Sequence, residues 1–279
     1  MKAKSPSGVL LVHCQSLHQA ALLACRQLRQ PALAADALYQ LRLTLRIFRI
    51  LLPLVRKDPA CQTLSVTLDL CYRATSRLRD RQVGIGLIRL LEARWPRNRR
   101  RPSTALAQAL RQQYAQFARE MAVLGLEPAL GQMLEAVERL EQRLPAKKLR
   151  RRASRHADDL AAQLGRRMQQ ALRRQRARDW HRLRLAIKHY RFWVLALADQ
   201  LPDVHARQVR ELKSLQVALG DCHDWDVLLH WLPEVPDAPL AAWEPVIAQF
   251  QQVDMQRAMT LLQPLLRRHG LVDIPDGIS

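Results

Sequence analysis

The chain has 279 residues, with 45 Lys and Arg against 25 Asp and Glu and a formal net charge of +20. Its hydrophobic share of 48% excludes a disordered basic tail and allows one large domain or two small ones with real cores. Cys14, Cys25, Cys61, Cys71 and Cys222 are odd in number and form no CxxC pair, which argues against a disulfide scaffold and for reduced, packed thiols.

Leu, Ala, Gln and Arg dominate, Gly is scarce, and Pro clusters at segment ends, so the sequence reads as helices throughout. No run shows sustained strand alternation, and the expected fold class is all-α. Near the N-terminus the apolar run Val9 to Val12 is too short for a signal-peptide core, and no later segment approaches a membrane span. The expected location is therefore the cytoplasm, without membrane partners. Helices are predicted over 8–30, 33–55, 60–78, 80–95, 104–124 and 128–143 in the first half. In the second half they are predicted over 148–176, 179–200, 204–219, 223–232 and 240–269.

The helix predicted over 33–55 carries Tyr39, Arg42, Arg46 and Arg49 at i, i+3, i+7 and i+10. At 3.6 residues per turn these positions fall within an arc of roughly 80°. Leu43, Ile47, Ile50 and Leu54 flank the stripe on one side; Leu41, Leu45, Phe48 and Leu52 flank it on the other. The narrow opposite face holds Gln40, Thr44 and Leu51. An ordinary amphipathic helix has one apolar sector and one broad polar one. Here the cations sit between two apolar sectors, which points them into a cleft. No Asp or Glu occurs between Ala37 and Lys57. Buried cations need counter-charge, so the stripe requires an anion from outside or a carboxylate from a distant part of the chain.

The same pattern recurs at His181, Arg184, Lys188 and Arg191, offset by 142 residues, again with no acid between Trp180 and Ala198. Asp36 and Asp179 stand ahead of the two stripes as expected helix N-caps. A second matched pair follows each stripe. Arg79, Asp80, Gln82 and Val83 align with His223, Asp224, Asp226 and Val227, at an offset of 144. The two-residue difference is one that a loop absorbs. Asp80 and Asp224 are expected to cap helix starts or to orient stripe arginines, rather than to hold metal. The duplication predicts two similar four-helix-type bundles, residues 1–144 and 145–279, related by a pseudo-two-fold. They join near Pro145 to Arg152, with a basic central groove lined by both stripes.

The residue types favour phosphate. Only seven of the 45 basic residues are Lys, and a planar guanidinium offers paired donors that match phosphate geometry. Further donors are expected from the helix after each stripe: Arg73, Arg77 and Arg79 in the first half, and Arg207, Arg210 and Lys213 in the second. Arg166, Arg167, Arg173 and Arg174 are weaker candidates. The Pro-bounded loop with Arg94, Arg97, Arg99, Arg100 and Arg101 reads as a solvated electrostatic attractor.

At these residues the chain resembles the CHAD domain, the conserved histidine α-helical domain. The family pattern His-x-x-Arg-x-x-x-Arg/Lys-x-x-Arg matches His181, Arg184, Lys188 and Arg191, and Leu-Gly-x-x-x-Asp-x-x-Val matches Leu219, Gly220, Asp224 and Val227. The first half carries the degenerate copy with Arg42, Arg46, Arg49, Arg79, Asp80 and Val83, and the likeness spans roughly residues 8–270. The resemblance implies two four-helix bundles around a basic channel that binds inorganic polyphosphate without catalysis; no metal or cofactor is expected. Some relatives are fused to a triphosphatase domain, for which this chain leaves no room. Association with polyphosphate granules is in keeping with such binding.

One departure is Tyr39, where the family pattern has histidine. Tyr donates one hydrogen bond but gains no positive charge, so the first stripe is expected to bind more weakly, or with less pH dependence, than the second. A nucleic-acid-binding helical protein is the alternative that net charge alone permits. Against it stand an aromatic content of 5% and the lack of a helix-turn-helix, zinc-finger or RNA-binding signature. An enzyme acting on phosphoanhydrides is a third reading, disfavoured because few acids lie near the stripes to hold metal and position water.

Overall fold

The computed structural model describes residues 8–94 and 101–268; residues 95–100, including Arg97, Arg99 and Arg100, lie outside them. Among the described residues there are nine α-helices and no strand. They are α1 (Val9–Gln27), α2 (Ala34–Val55), α3 (Cys61–Arg94), α4 (Pro102–Val123), α5 (Leu126–Arg143), α6 (Ala146–Arg174), α7 (Ala177–Ala196), α8 (Asp203–Trp231) and α9 (Leu240–Arg268). None is long and apolar enough to cross a membrane.

Two compact units divide the chain after Ala153, inside α6. The first holds α1 to α5 and the start of α6. Its core centres on α2, which packs on α1, α3 and α5. Leu38, Leu41, Leu45, Phe48 and Leu51 are fully buried there, as are Leu64, Leu68 and Cys71 of α3 and Met133 and Leu130 of α5. Each such side chain contributes about 1.5–3 kcal/mol of transfer free energy. Opposite the stripe, Thr44 and Leu51 are buried and Gln40 is exposed, while Arg42, Arg46 and Arg49 are half-buried and Tyr39 is exposed. Gly125 allows the sharp turn from α4 to α5: its φ of 72° is left-handed, where a Cβ would be strained.

Several carboxylates fix helix ends in this unit. Glu141 accepts from the Leu10 N–H at 3.1 Å, and Glu92 accepts from the N–H and hydroxyl of Ser103 at 2.9 and 2.6 Å. Asp58 accepts from the Ala60 N–H at 3.1 Å and from Arg139 through two donors at 2.8 and 3.1 Å.

The second unit holds the rest of α6 with α7, α8 and α9. The last three pack in sequence, α7 on α8 and α8 on α9. Trp193, Trp243 and Tyr190 are its largest fully buried side chains. His156 of α6 meets the Trp193 ring edge-on at 4.3 Å, and Trp225 of α8 stacks on Phe250 of α9 at 4.8 Å. Tyr190 Oη donates to Gln208 Oε1 and pairs with His205 Nδ1 at 2.9 Å, which fixes the register of α7 on α8.

The helices predicted over 60–78 and 80–95 are one continuous helix, α3, and those over 204–219 and 223–232 are one helix, α8. Asp80 and Asp224 therefore lie in helix interiors and cap nothing. The reason is packing. Leu78, Ile85 and Ile88 continue the buried face of α3 through the Arg-Asp-Arg stretch, and Leu219, Cys222, Trp225 and Leu228 do the same in α8. Tertiary burial outweighs the local cost of Gly220 in a helix interior. Asp36 and Asp179 sit in the first turns of α2 and α7, but the N-cap positions are Leu33 and Arg176, with no side-chain cap bond at either. They suit the helix dipole from inside the first turn instead.

Candidate functional site

In the first unit the stripe of α2 lies against α3, and the contacts run antiparallel. Arg42 Nη1 donates to Thr75 Oγ1 at 3.2 Å and to Ser76 Oγ at 2.7 Å. One turn on, Arg46 donates to Tyr72 Oη from Nε at 3.2 Å and from Nη2 at 2.9 Å. Arg49 Nη2 donates to Asp69 Oδ1, and the other oxygen of Asp69 takes Arg73 Nε at 2.6 Å. Residues 69, 72, 75 and 76 of α3 follow the helical period, so one face of α3 meets the stripe rung by rung.

Tyr72 is the hub. The guanidinium carbons of Arg42, Arg49 and Arg46 lie 4.6, 4.4 and 5.7 Å from its ring centre, within the range of cation–π attraction. The ring keeps three like charges together on a surface that attracts each of them. Burial weakens the Arg42 guanidinium's hold on its proton, and neighbouring Arg46 and Arg79 add to this, while Tyr72 and Asp80 act the other way. From mid-helix, the Asp80 carboxylate thus favours the charged form of Arg42.

The head of the stripe is looser. Tyr39 is half exposed, with Arg79 5.9 Å from its ring, and Arg79 Nη1 donates to Gln82 Oε1 at 2.9 Å. Arg77 is exposed.

The second stripe, on α7, is built differently. Arg184 is buried, with 8% of its surface exposed, whereas Lys188 and Arg191 are half-buried and His181 is exposed. Arg191 Nη1 donates to Gln216 Oε1 of α8; its Nε is buried without a hydrogen-bond acceptor, and burial disfavours its charge. The head of this stripe opens into a cavity of about 310 Å³ between α7, α8 and α9. His181, Arg184, His223, Asp226, Gln251 and Gln252 are among its polar lining, with Trp180, Leu219 and Met255 on the apolar side. The His181 and His223 rings lie 5.5 Å apart.

Although much of its surface is exposed, partial desolvation first, then the nearby charges of Arg184 and Lys188, hold His181 below the usual histidine range, against a smaller pull from Asp226. Burial pushes Asp226 up, opposed by His230, by a hydrogen bond from Gln251 and by His181. An anion entering here meets two imidazoles and a guanidinium and would draw a proton onto His181. Among the described residues no three His, Cys, Asp or Glu side chains converge to hold a metal ion. Arg207, Arg210 and Lys213 lie exposed on the N-terminal half of α8.

The structure thus brings Arg42, Arg46, Arg49 and Arg73 together around Tyr72 and Asp69, and gathers His181 and Arg184 at one cavity. Sequence reasoning missed Asp69, Tyr72, Thr75 and Ser76 in the first unit and Gln216 in the second. Their helical spacing 69, 72, 76 mirrors 42, 46, 49 across an antiparallel pair, but only the register of α3 on α2 gives that spacing a meaning.

A search of curated proteins returned no match to the chain. The model of the CHAD domain family matches residues 17–233, a span that takes in both stripes and the helices packed on them. With that match over more than half its length, the chain belongs to the CHAD domain family.

Proposed function

We propose that the protein binds inorganic polyphosphate, non-catalytically, along its two guanidinium stripes. The observation that carries this reading is the repeated row of partly buried cations, Arg42, Arg46 and Arg49 on α2 and Arg184, Lys188 and Arg191 on α7. Neutral acceptors pre-order Arg42 and Arg46, through Tyr72, Thr75 and Ser76, and Arg191, through Gln216, while Arg49 is held by the Asp69 carboxylate. Neutral acceptors hold a guanidinium in place without cancelling its charge, which suits a receptor for a repeating polyanion. Membership of the CHAD family is consistent with polyphosphate binding.

A pseudo-two-fold that joins both stripes in one basic groove belongs to this proposal, as does association with polyphosphate granules. Direct mixing of the protein with polyphosphate of defined length tests the reading. Binding should tighten with chain length, fall steeply with salt, and release no orthophosphate in the presence of magnesium. Steady release of orthophosphate by the pure protein would overturn the non-catalytic part. Binding that is indifferent to chain length would overturn the stripe.

A further inference from the structure

The two stripes differ in one charge that the repeat makes visible. Asp69 on α3 accepts from Arg49 and sits 2.6 Å from Arg73, so one carboxylate lies between two guanidinium groups. Its side chain is only 28% exposed, and Arg49 is 33% exposed, so the pair is partly shielded from water. This is the place and geometry a phosphate of a bound polyanion would take. At the offset of 144 that relates α3 to α8, Asp69 corresponds to Lys213, and Tyr72 corresponds to Gln216. The contacts support that register: Arg49 lies over Tyr72, and Arg191, its partner in the repeat, donates to Gln216. Where the first stripe has a resident anion, the second has an exposed cation.

From this we infer that Asp69 is a built-in counter-anion that occupies the first stripe, leaving the α7 stripe, extended by Lys213, as the stronger polyanion site. The inference rests on the polyphosphate reading and adds an internal competitor to it. A ligand phosphate reaching Arg49 must displace a carboxylate, which exchanges one charged hydrogen-bond set for another with little net gain. A phosphate reaching Arg191 exchanges a neutral amide and water for a charged acceptor, which is the larger gain. At the first site Asp69 also repels the phosphates on either side of the exchange.

The experiment is calorimetric titration of the full chain with polyphosphate of one defined length at several salt concentrations. It compares wild type, Asp69→Asn, Lys213→Asp and Arg191→Gln. Asp69→Asn keeps the shape and one acceptor but removes the charge. It should tighten binding about three- to tenfold and steepen the slope of log K against log salt by roughly 0.7, one more net positive charge at about 0.7 per charge. Lys213→Asp places the resident anion in the second stripe and should weaken binding by a similar factor. As Lys213 is exposed, that variant tests the idea without a folding risk. Unchanged or weaker binding by Asp69→Asn, with Lys213→Asp also neutral and Arg191→Gln still impaired, would make Asp69 a structural strut and overturn the inference while leaving the polyphosphate reading intact. Absence of polyphosphate binding in every variant, wild type included, would overturn both.

Discussion

Replacing Tyr72 separates two forces that hold the first stripe. Tyr72→Phe removes only the hydroxyl that accepts from Arg46 Nε and Nη2 at 3.2 and 2.9 Å. A hydrogen bond to a charged group contributes about 1.5–3 kcal/mol when water is excluded. Arg46 is half-buried and can turn to solvent, so the expected cost falls below that range, to about 1 kcal/mol of stability. Tyr72→Leu also removes the ring beneath Arg42 and Arg49 at 4.6 and 4.4 Å. Two cation–π contacts at about 0.5–1 kcal/mol each raise the total to about 2–3 kcal/mol. Urea unfolding read by circular dichroism measures both changes, with an unchanged m-value required for the comparison. The same variants lose pre-ordering of the three arginines. At about 0.5–1.5 kcal/mol per side chain to be re-ordered on binding, Tyr72→Leu should weaken polyphosphate binding roughly tenfold or more. The reasoning is refuted if Tyr72→Leu costs no more than Tyr72→Phe, since the ring would then contribute nothing as a platform.

Acid stability depends on Asp58. Two donors from Arg139 hold its carboxyl below the usual aspartate range, helped by the Ala60 N–H, against the opposing effect of burial. A depressed folded-state value stabilises the fold above the ordinary aspartate pKa of about 3.9, and the contribution is lost as pH falls through the folded value. Urea midpoints of wild type and Asp58→Asn should therefore differ by a constant amount above about pH 5 and converge below about pH 4; a gap that persists to the acid limit would contradict this. His181 gives the opposite sign on binding. Its folded value lies below the ordinary histidine range, so the free protein holds the proton less tightly than the unfolded chain does in the window just under about pH 6.5. Polyphosphate favours the protonated ring, so affinity should rise as pH falls from about 7.5 to 5.5, by at most about tenfold per unit for one linked proton. His223 and Asp226 share the cavity, so the difference between wild type and His181→Gln, titrated in two buffers of unlike ionisation enthalpy, isolates this residue. Equal pH profiles for the two proteins would remove His181 from the linkage.

The stripe helices were legible because a 3.6-residue period is a local property. Arg42, Arg46 and Arg49, and Arg184, Lys188 and Arg191, were found from spacing and from the lack of acids alone. The long helices α3 and α8 were not, because their continuity through residues 78–83 and 219–227 is set by side chains that bury against other helices. Arg79-Asp80-Arg81 and Gly220-Asp221-Cys222 look like breaks to any local reading. Asp69 and Tyr72 were invisible for a related reason. Nothing in the sequence states the register of α3 on α2, and only that register turns an aspartate 20 residues away into the counter-charge of Arg49. The open alternative of an anion from outside or from within the chain is thus resolved, for Arg49, by a carboxylate from within.

The central claim is that the stripes form a polyphosphate receptor rather than a generally basic surface. The most direct test titrates the protein with polyphosphate and with single-stranded RNA of equal total charge at physiological salt, using wild type, Arg184→Ala, Arg191→Ala and, as an exposed control on α4, Arg119→Ala. The account predicts much tighter binding to polyphosphate. It also predicts a loss of about 10- to 100-fold at Arg184 and Arg191, in line with about 1.5–3 kcal/mol for a charged contact, and little change at Arg119. Equal affinity for the two polyanions, a preference for RNA, or equal losses at all three arginines would contradict it.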